Sequence, residues 1–367
     1  MQLINLLSWL PGHSGFGSYV QRVVTGLDGL RLQLGGDGQG VLLPPEQWTS
    51  DPPLWAPGRR MRLLQRYSLV QHGLNLPALL QRQGMQLDQL EAIYSPFFDA
   101  LLCWPDVPQL ITCHDLTPLV ASNSRKAWLR YRLWQPRHCG VATRLIAISR
   151  YVADQLVAFG VDSERIEVIP NGIQIKRSPV LAPSSQDLVA LARHDVNKNV
   201  PALFRGINQL QRLCPQWSGT LHIVGRAGRQ SSLVRRLHRA LPRPEQVKLI
   251  DALPQAELVA LVRASLVLLS ASTEEGFDYP VLEAKAEGIP TLISDIAVHR
   301  EFHEGSSLFF PIDDDGTALA EYVRALLSDG FLWQHLSSAG CALARTLTVE
   351  AQTAQIADQI RSVSRSC

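Results

Sequence analysis

Short apolar runs of three to five residues alternate with helix-patterned segments along almost the whole chain. Leu3 to Leu7, Val41 to Leu43, Leu110 to Cys113, Leu145 to Ile148 and Ile166 to Ile169 read as strands, separated by helix patterns at Tyr19 to Leu27, Arg59 to Leu74, Lys126 to Gln135 and Arg150 to Phe159. A run that is apolar on both faces suits a parallel strand covered by helices on either side, so the alternation predicts an α/β fold with open, mostly parallel sheets. The pattern stops at Ile169-Pro170-Asn171-Gly172 and a segment rich in structure-punctuating residues, Ser178 to Ser185. It then restarts, with strands expected at Leu188 to Ala192, Leu221 to Val224, Val247 to Ile250, Leu266 to Ser270, Thr291 to Ile293 and Leu308 to Phe310. After Asp315 it becomes almost wholly helical.

A chain of 367 residues is too long for one ordinary core. We therefore expect a first Rossmann-like domain over 1–178, a second over 179–345, and a C-terminal helix, 346–367, packing back toward the first. The second half repeats the first in type, without a residue-level repeat. Two such domains leave a cleft between their sheet mouths, a favoured ligand site.

With 46% hydrophobic and 19% charged residues the chain is expected to be globular, and its net charge of +2 singles out no partner class; no nucleic-acid partner is expected. No apolar run approaches the roughly 20 residues of a membrane span. Met1 to Leu7 lacks a basic leader and runs into a glycine-rich loop, so it reads as a first core strand. The six cysteines have no paired metal or redox spacing, which predicts a reduced, cytoplasmic setting with buried thiols.

The richest stretch is Ser272-Thr273-Glu274-Glu275-Gly276-Phe277-Asp278-Tyr279-Pro280-Val281-Leu282-Glu283-Ala284-Lys285. It follows an apolar strand, so it sits where a parallel sheet opens to ligands. Pro280 suits the first helical position, which puts helix-end amides beside Gly276, Phe277 and Asp278. Glu283, about one turn into the helix, leans back toward the mouth that Glu275 borders. Two acceptor carboxylates and backbone donors at one mouth suit a hydroxyl-rich ligand with a phosphate.

Other loops fit the same chemistry. Gly12-His13-Ser14-Gly15-Phe16-Gly17-Ser18 follows the first strand and opens a helix, letting backbone approach a phosphate or sugar. It is no dinucleotide fingerprint, because the third glycine would fall at Val20. Thr112-Cys113-His114-Asp115 ends a strand, which points His114 at the cleft; Asp115 either orients its ring or caps the next turn. Arg193 and Lys198, just after the first strand of the second half, can offer a guanidinium fork and a point charge to one diphosphate. Gly225-Arg226-Ala227-Gly228 is either a further loop at that mouth or a plain turn.

Two basic stretches remain. Arg59, Arg60, Arg62 and Arg66 flank an apolar stripe, and Arg125, Lys126, Arg130, Arg132 and Arg137 interleave with Trp128, Tyr131 and Trp134. Such surfaces fit an anionic membrane or polyprenyl-phosphate acceptor, or core-facing stripes with arginines reaching back to water.

Taken together these motifs resemble glycosyltransferase family 4, the retaining enzymes of the GT-B fold. Glu275 and Glu283 fit its Glu-x7-Glu motif, and Arg193 with Lys198, His114 with Asp115, Gly15-Phe16-Gly17 and Ile169-Pro170-Asn171-Gly172 match in the family's order as far as about Pro311. His114 to Leu119 and Ser294-Asp295-Ile296-Ala297-Val298-His299-Arg300-Glu301 look most like bacterial branches with many mannosyltransferases of surface polysaccharide assembly.

The resemblance implies two Rossmann-like domains facing across a cleft and transfer of a hexose, mannose favoured, from a nucleotide-diphosphate donor such as GDP-mannose to a glycan or lipid-linked acceptor; the alternatives are a glucosyl or other hexosyl donor with a small-molecule acceptor, or a non-catalytic carbohydrate-binding descendant. By the same implication His114, Glu275, Arg193 and Lys198 carry the reaction, while Gly15, Gly17, Gly276, Phe277, Asp278, Leu282 and Glu283 complete the donor site. No metal or other cofactor is expected. The protein would work in the cytoplasm or at the inner face of a membrane. The sequence departs from the family at Asp278-Tyr279, where a small residue followed by an aliphatic one is usual, and this puts an extra carboxylate beside the sugar.

Overall fold

The computed structural model describes residues 2–5, 15–28, 39–42, 90–102, 104–120 and 125–364. The helix expected over Arg59 to Leu74, with its arginines, and residues Gly12 to Ser14 lie outside the described residues. The chain forms two compact units, residues 1–172 with 349–367 and residues 173–348. The dividing point thus lies at Gly172, ahead of the punctuated segment that begins at Ser178.

The first unit runs β1 (Gln2–Asn5), α1 (Gly15–Asp28), β2 (Gln39–Leu42), β3 (Ala92–Ser95), β4 (Gln109–Cys113), α2 (Thr117–Val120), α3 (Arg125–Val141), β5 (Arg144–Ala147), α4 (Arg150–Ala158) and β6 (Ile166–Val168). Its strands lie in the order β2-β1-β3-β4-β5-β6, every pair parallel. The interior strands β1, β3 and β4 are buried along their whole length, as a parallel sheet with helices on both faces requires. Strand β3 is not evident in the sequence, because Ala92-Ile93-Tyr94-Ser95 carries only a short apolar run. Its Tyr94 hydroxyl lies 3.0 Å from that of Tyr19 and 3.1 Å from Thr112 Oγ1, a buried chain of hydroxyls linking α1, β3 and β4. Helix α3 continues through Pro136 instead of ending at Gln135. Tertiary hydrogen bonds brace the helix on either side of the missing amide: Gln135 Nε2 donates to Phe98 O at 2.7 Å, and His138 Nδ1 accepts from Ala100 N at 3.0 Å.

The second unit runs β7 (Leu188–Leu191), α5 (Val200–Leu213), β8 (Leu221–Val224), α6 (Ser231–Arg239), β9 (Val247–Ile250), α7 (Gln255–Ala264), β10 (Val267–Ser270), α8 (Tyr279–Ala286), β11 (Thr291–Ser294), α9 (Ala297–His303), β12 (Leu308–Phe310), α10 (Thr317–Ser328) and α11 (Gly330–Thr346). The strand order is β12-β11-β10-β7-β8-β9, again all parallel. Helix α5 buries Val200, Leu203, Phe204, Ile207 and Leu210, spaced at three and four residues to form one face. A Cβ on Gly206 would come within 2.6 Å of Leu319 Cδ2, so the glycine lets α5 and α10 approach closely.

The last helix, α12 (Val349–Ser364), belongs to the first unit. Its buried Gln352 donates from Nε2 to Asn171 Oδ1 at 3.1 Å and accepts at Oε1 from Gly172 N at 2.9 Å. Substituting Gln352 by alanine removes both bonds and strands two buried polar groups. We expect a loss of roughly 2–4 kcal/mol in the unfolding free energy of the first unit; an unchanged urea midpoint would show that α12 is held by its apolar face alone.

Candidate functional site

In the second sheet the chain steps outward from β7 to β8 and β9, then returns to place β10 on the other side of β7. The connections that leave the carboxyl ends of β7 and β10 therefore diverge, and such a switch point opens a crevice. The loop after β7 carries Arg193 and Lys198, and the loop after β10 carries Glu275 to Asp278. They are tied across the switch point: Thr273 N donates to Asn197 O at 2.8 Å, and Lys198 Nζ donates to Glu275 Oε1 at 2.5 Å.

The Lys198 and Glu275 side chains are 21% and 14% exposed, so the pair is largely withdrawn from water. Burial disfavours the charged form of Lys198, but Glu275, Asp278 and Asp195 outweigh it and hold the ammonium above its usual range. Burial pushes the Glu275 carboxyl up and Asp278 adds to this, while Lys198 and Ser272 pull it back. Arg193 is 64% exposed; its Nε lies 3.4 Å from Asp195 Oδ2.

The loop after β8 closes onto the same edge. His194 N donates to Arg226 O at 3.2 Å and Gln230 N to His194 O at 2.8 Å. A Cβ on Gly225 would fall 2.1 Å from Ala192 O, and one on Gly228 would fall 2.4 Å from Asp195 Oδ1. Gly225 to Gly228 is thus more than a turn: its glycines let this backbone lie against the Arg193 segment.

Helix α8 begins at Tyr279, so Pro280 stands second in it. Asp278 is the N-cap residue, in a left-handed conformation (φ 61°, ψ 69°) that costs a non-glycine residue about 1–2 kcal/mol. An N-cap aspartate ordinarily accepts from its own helix. Here the carboxylate turns inward, accepting at Oδ2 from Ser270 Oγ at 2.6 Å and from His299 Nε2 at 3.1 Å. This corrects the expectation of an extra carboxylate beside the sugar. The Asp278 side chain is 1% exposed and points under the loop, leaving only its backbone for the mouth. Among the described residues no internal acceptor takes the amides of Gly276, Phe277 or Asp278.

Phe277 is buried, its ring 4.8 Å from that of Phe302 and 5.3 Å from that of Tyr279. Leu282 is fully buried, so its side chain packs in the interior and only its backbone is left for a ligand. Glu283 lies in the second turn of α8, half-buried.

In the first unit Gly15 and Gly17 form the first turn of α1. His114 follows β4, with Nε2 3.0 Å from Pro96 O and its ring edge-on to Tyr19 of α1 at 4.3 Å. A carbonyl only accepts, so Nε2 carries the proton and Nδ1 the lone pair. Burial lowers the imidazole to about 4, which makes it neutral at physiological pH. Asp115 Oδ1 accepts from Thr117 N at 3.1 Å, so the carboxylate caps the turn into α2. Among the described residues no group of three or more His, Cys, Asp or Glu side chains is arranged to hold a metal ion. Cys113, Cys139, Cys214 and Cys341 are free and buried.

The pairing of Asp278 with His299 escaped the sequence reading. Ser294 to Glu301 stood out as a motif, but nothing in it told that His299 meets a residue 21 positions earlier.

Residues 37–177 match the family described as Glycosyltransferase Family 4, and residues 185–329 match Glycosyl transferases group 1. Among curated proteins, the O-antigen chain mannosyltransferase RfbU of Salmonella typhimurium is 26% identical over 56% of this chain and 58% of its own length. A lipopolysaccharide 1,6-galactosyltransferase of the same organism is 27% identical over 51% of this chain. The chain spans little more than half the length of these two relatives, 58% and 56%. Among solved structures, HepE of Anabaena in complex with UDP and glucose superposes with a TM-score of 0.72 at 19% identity, over 99% of this chain and 100% of that one. Sucrose-phosphate synthase of Thermosynechococcus elongatus gives 0.73 at 18% identity, over 100% and 99%. At such identities the likeness is one of fold.

Replacing Lys198 by methionine leaves Glu275 buried beside Asp278 without its cation, which raises its folded-state pKa further above the unfolded value. A group raised in this way keeps its stability below the unfolded pKa and loses it as pH rises through the folded one. Denaturation of this variant should show a deficit of roughly 3 kcal/mol near pH 8. The deficit should shrink toward pH 5; one that does not change with pH contradicts an ionised Lys198–Glu275 pair.

Proposed function

Because this chain belongs to the family-4 glycosyltransferases, built on two Rossmann-like domains of the GT-B type, we propose that it moves a hexose from a nucleotide-diphosphate sugar to a hydroxyl of a glycan or lipid-linked glycan. The observation that carries this reading is the switch-point cluster: Lys198 bonded to Glu275, Arg193 exposed on the same loop as Lys198, and the amides of Gly276 to Asp278, which have no acceptor among the described residues. Fixed cations and helix-end amides are what a diphosphate leaving group calls for. The half-buried carboxylates of Glu275 and Glu283 suit the hydroxyls of sugar and ribose.

As the bond between sugar and diphosphate breaks, negative charge grows on the phosphate and positive charge on the anomeric carbon. Arg193 and Lys198 stabilise the first without a metal ion. The acceptor oxygen attacks from the face the diphosphate leaves, and the leaving phosphate oxygen takes the acceptor's proton, so the anomeric configuration is retained. His114, held neutral by burial, would contact the sugar near the reaction centre. Gly15 and Gly17 would lie under the phosphates.

Mannose is the favoured sugar, supported by the 26% identity to RfbU; a glucosyl donor is the second reading, suggested by the UDP-glucose complex of HepE. Exposed Trp128, Leu129 and Leu133 on α3, with Arg132 stacked on Trp128 at 5.3 Å, support peripheral contact with an anionic membrane that presents the acceptor. Protein that stays in the supernatant with anionic phospholipid vesicles would remove that part of the reading.

A panel of GDP- and UDP-hexoses should raise the melting temperature for at least one donor. Slow hydrolysis of that donor without acceptor should follow, and NMR should show a product linkage that retains the donor's configuration. Arg193→Ala should weaken donor binding roughly tenfold to a hundredfold. No shift with any donor, or an inverted product, would overturn the corresponding part of the account.

A further inference from the structure

His299 is fully buried between two oxygen acceptors. Its Nδ1 lies 2.8 Å from Ser294 O, which can only accept, and its Nε2 lies 3.1 Å from Asp278 Oδ2. The Ser294 hydroxyl, 3.2 Å from Nδ1, donates its own proton to Ser272 O. The ring thus faces a carbonyl on one side and a carboxylate on the other, an arrangement that an imidazolium, donating from both nitrogens, satisfies in full.

The Asp278 carboxylate is correspondingly ionised. Burial raises it, but Lys198, His299 and Ser270 together hold it below the usual carboxylate range. Lys198, Glu275, Asp278 and His299 thus make two cations and two anions in a cluster that is neutral as a whole.

We propose that Asp278 and His299 are a positioning pair for the donor loop: His299 pins the Asp278 carboxylate beneath the left-handed turn, and neutralises it so that Lys198 is left to Glu275 and the incoming phosphates. This rests on the donor-site reading above. Without the imidazolium, the buried carboxylate would be left to Lys198, the cation that already acts on it most strongly, and would compete with a diphosphate for it. The other groups facing the pair leave that conclusion unchanged. Ser270 and Ser272 come from the end of β10, and Asp195 from the loop after β7 belongs to the field around Lys198. On α9, His303 is kept neutral chiefly by burial, with Lys285 adding to the effect, and Arg300 is taken up by Asp295 with bonds of 2.7 Å. Lys285 of α8 is held by Ser306 O at 2.8 Å and by Ser306 Oγ. Burial brings it down to about 7.

Two measurements on the full chain test the pair. Histidine-labelled NMR of the free protein, with His299→Gln supplying the assignment, should show both His299 ring nitrogens protonated near pH 7; a neutral ring overturns the proposal whatever the protein binds. Calorimetric titration of UDP and GDP into wild type, His299→Gln, Asp278→Asn and the double variant supplies the second. His299→Gln should weaken the bound nucleotide about tenfold near pH 8, recover as pH falls and the carboxylate takes up a proton, and be restored to within about threefold of wild type in the double variant. Equal affinity in His299→Gln, or a double variant no better than it, overturns the positioning role. Failure of wild type to bind either nucleotide overturns the donor reading and the pair's role with it, whereas the NMR result still reports separately on the ionised pair.

Discussion

Lys198 and Glu275 come from loops that leave adjacent parallel strands and diverge, and they meet across a gap that the Thr273–Asn197 backbone bond also spans. Two opposite charges that are mostly out of water attract strongly only if neither is left alone, since an unpaired buried ion is far costlier than the pair. The pair therefore holds the loops after β7 and β10 to each other. It also keeps a protonated amine and a carboxylate ready at the carboxyl edge of the sheet. Arg193 and the glycine-bearing loop after β8 pack onto this frame, and the order of strands puts them there.

The turn into α8 shows how one residue can depart from a family pattern without disturbing the chemistry around it. An aspartate at an N-cap would normally consume helix amides, and an aspartate in a sugar-facing loop would add negative charge where phosphate is wanted. Asp278 does neither, because its side chain folds inward to Ser270 and His299. Among the described residues the amides of Gly276 to Asp278 keep no internal acceptor, and the added charge is met by one of opposite sign. The departure is local, and its compensation lies on α9.

Much of this was legible in the sequence. Apolar runs located most strands, because strands of a parallel sheet are buried on both faces, and the Glu275–Glu283 spacing marked the loop and helix that form the mouth. Lys198 was identifiable as a cation just after a strand. What escaped depends on contacts between distant residues. Strand β3 is too short to stand out and draws its place from hydroxyl contacts to α1 and β4. Helix α3 runs through Pro136 on hydrogen bonds from elsewhere in its unit. Leu282 shares a helix with Glu283, but its side chain faces the core, and helical spacing alone did not separate the two. The partnership of Asp278 with His299 has no local signature.

The central claim is that the carboxyl edge of the second sheet, around Lys198 and Glu275, receives a nucleotide diphosphate. Hydrogen–deuterium exchange of the full chain with and without saturating UDP or GDP tests it most directly, because it reports where protection falls without assuming which residues matter. The account predicts slowed exchange in 193–199, 225–230 and 272–283. Protection confined to other segments, with these three unchanged at saturation, would contradict it.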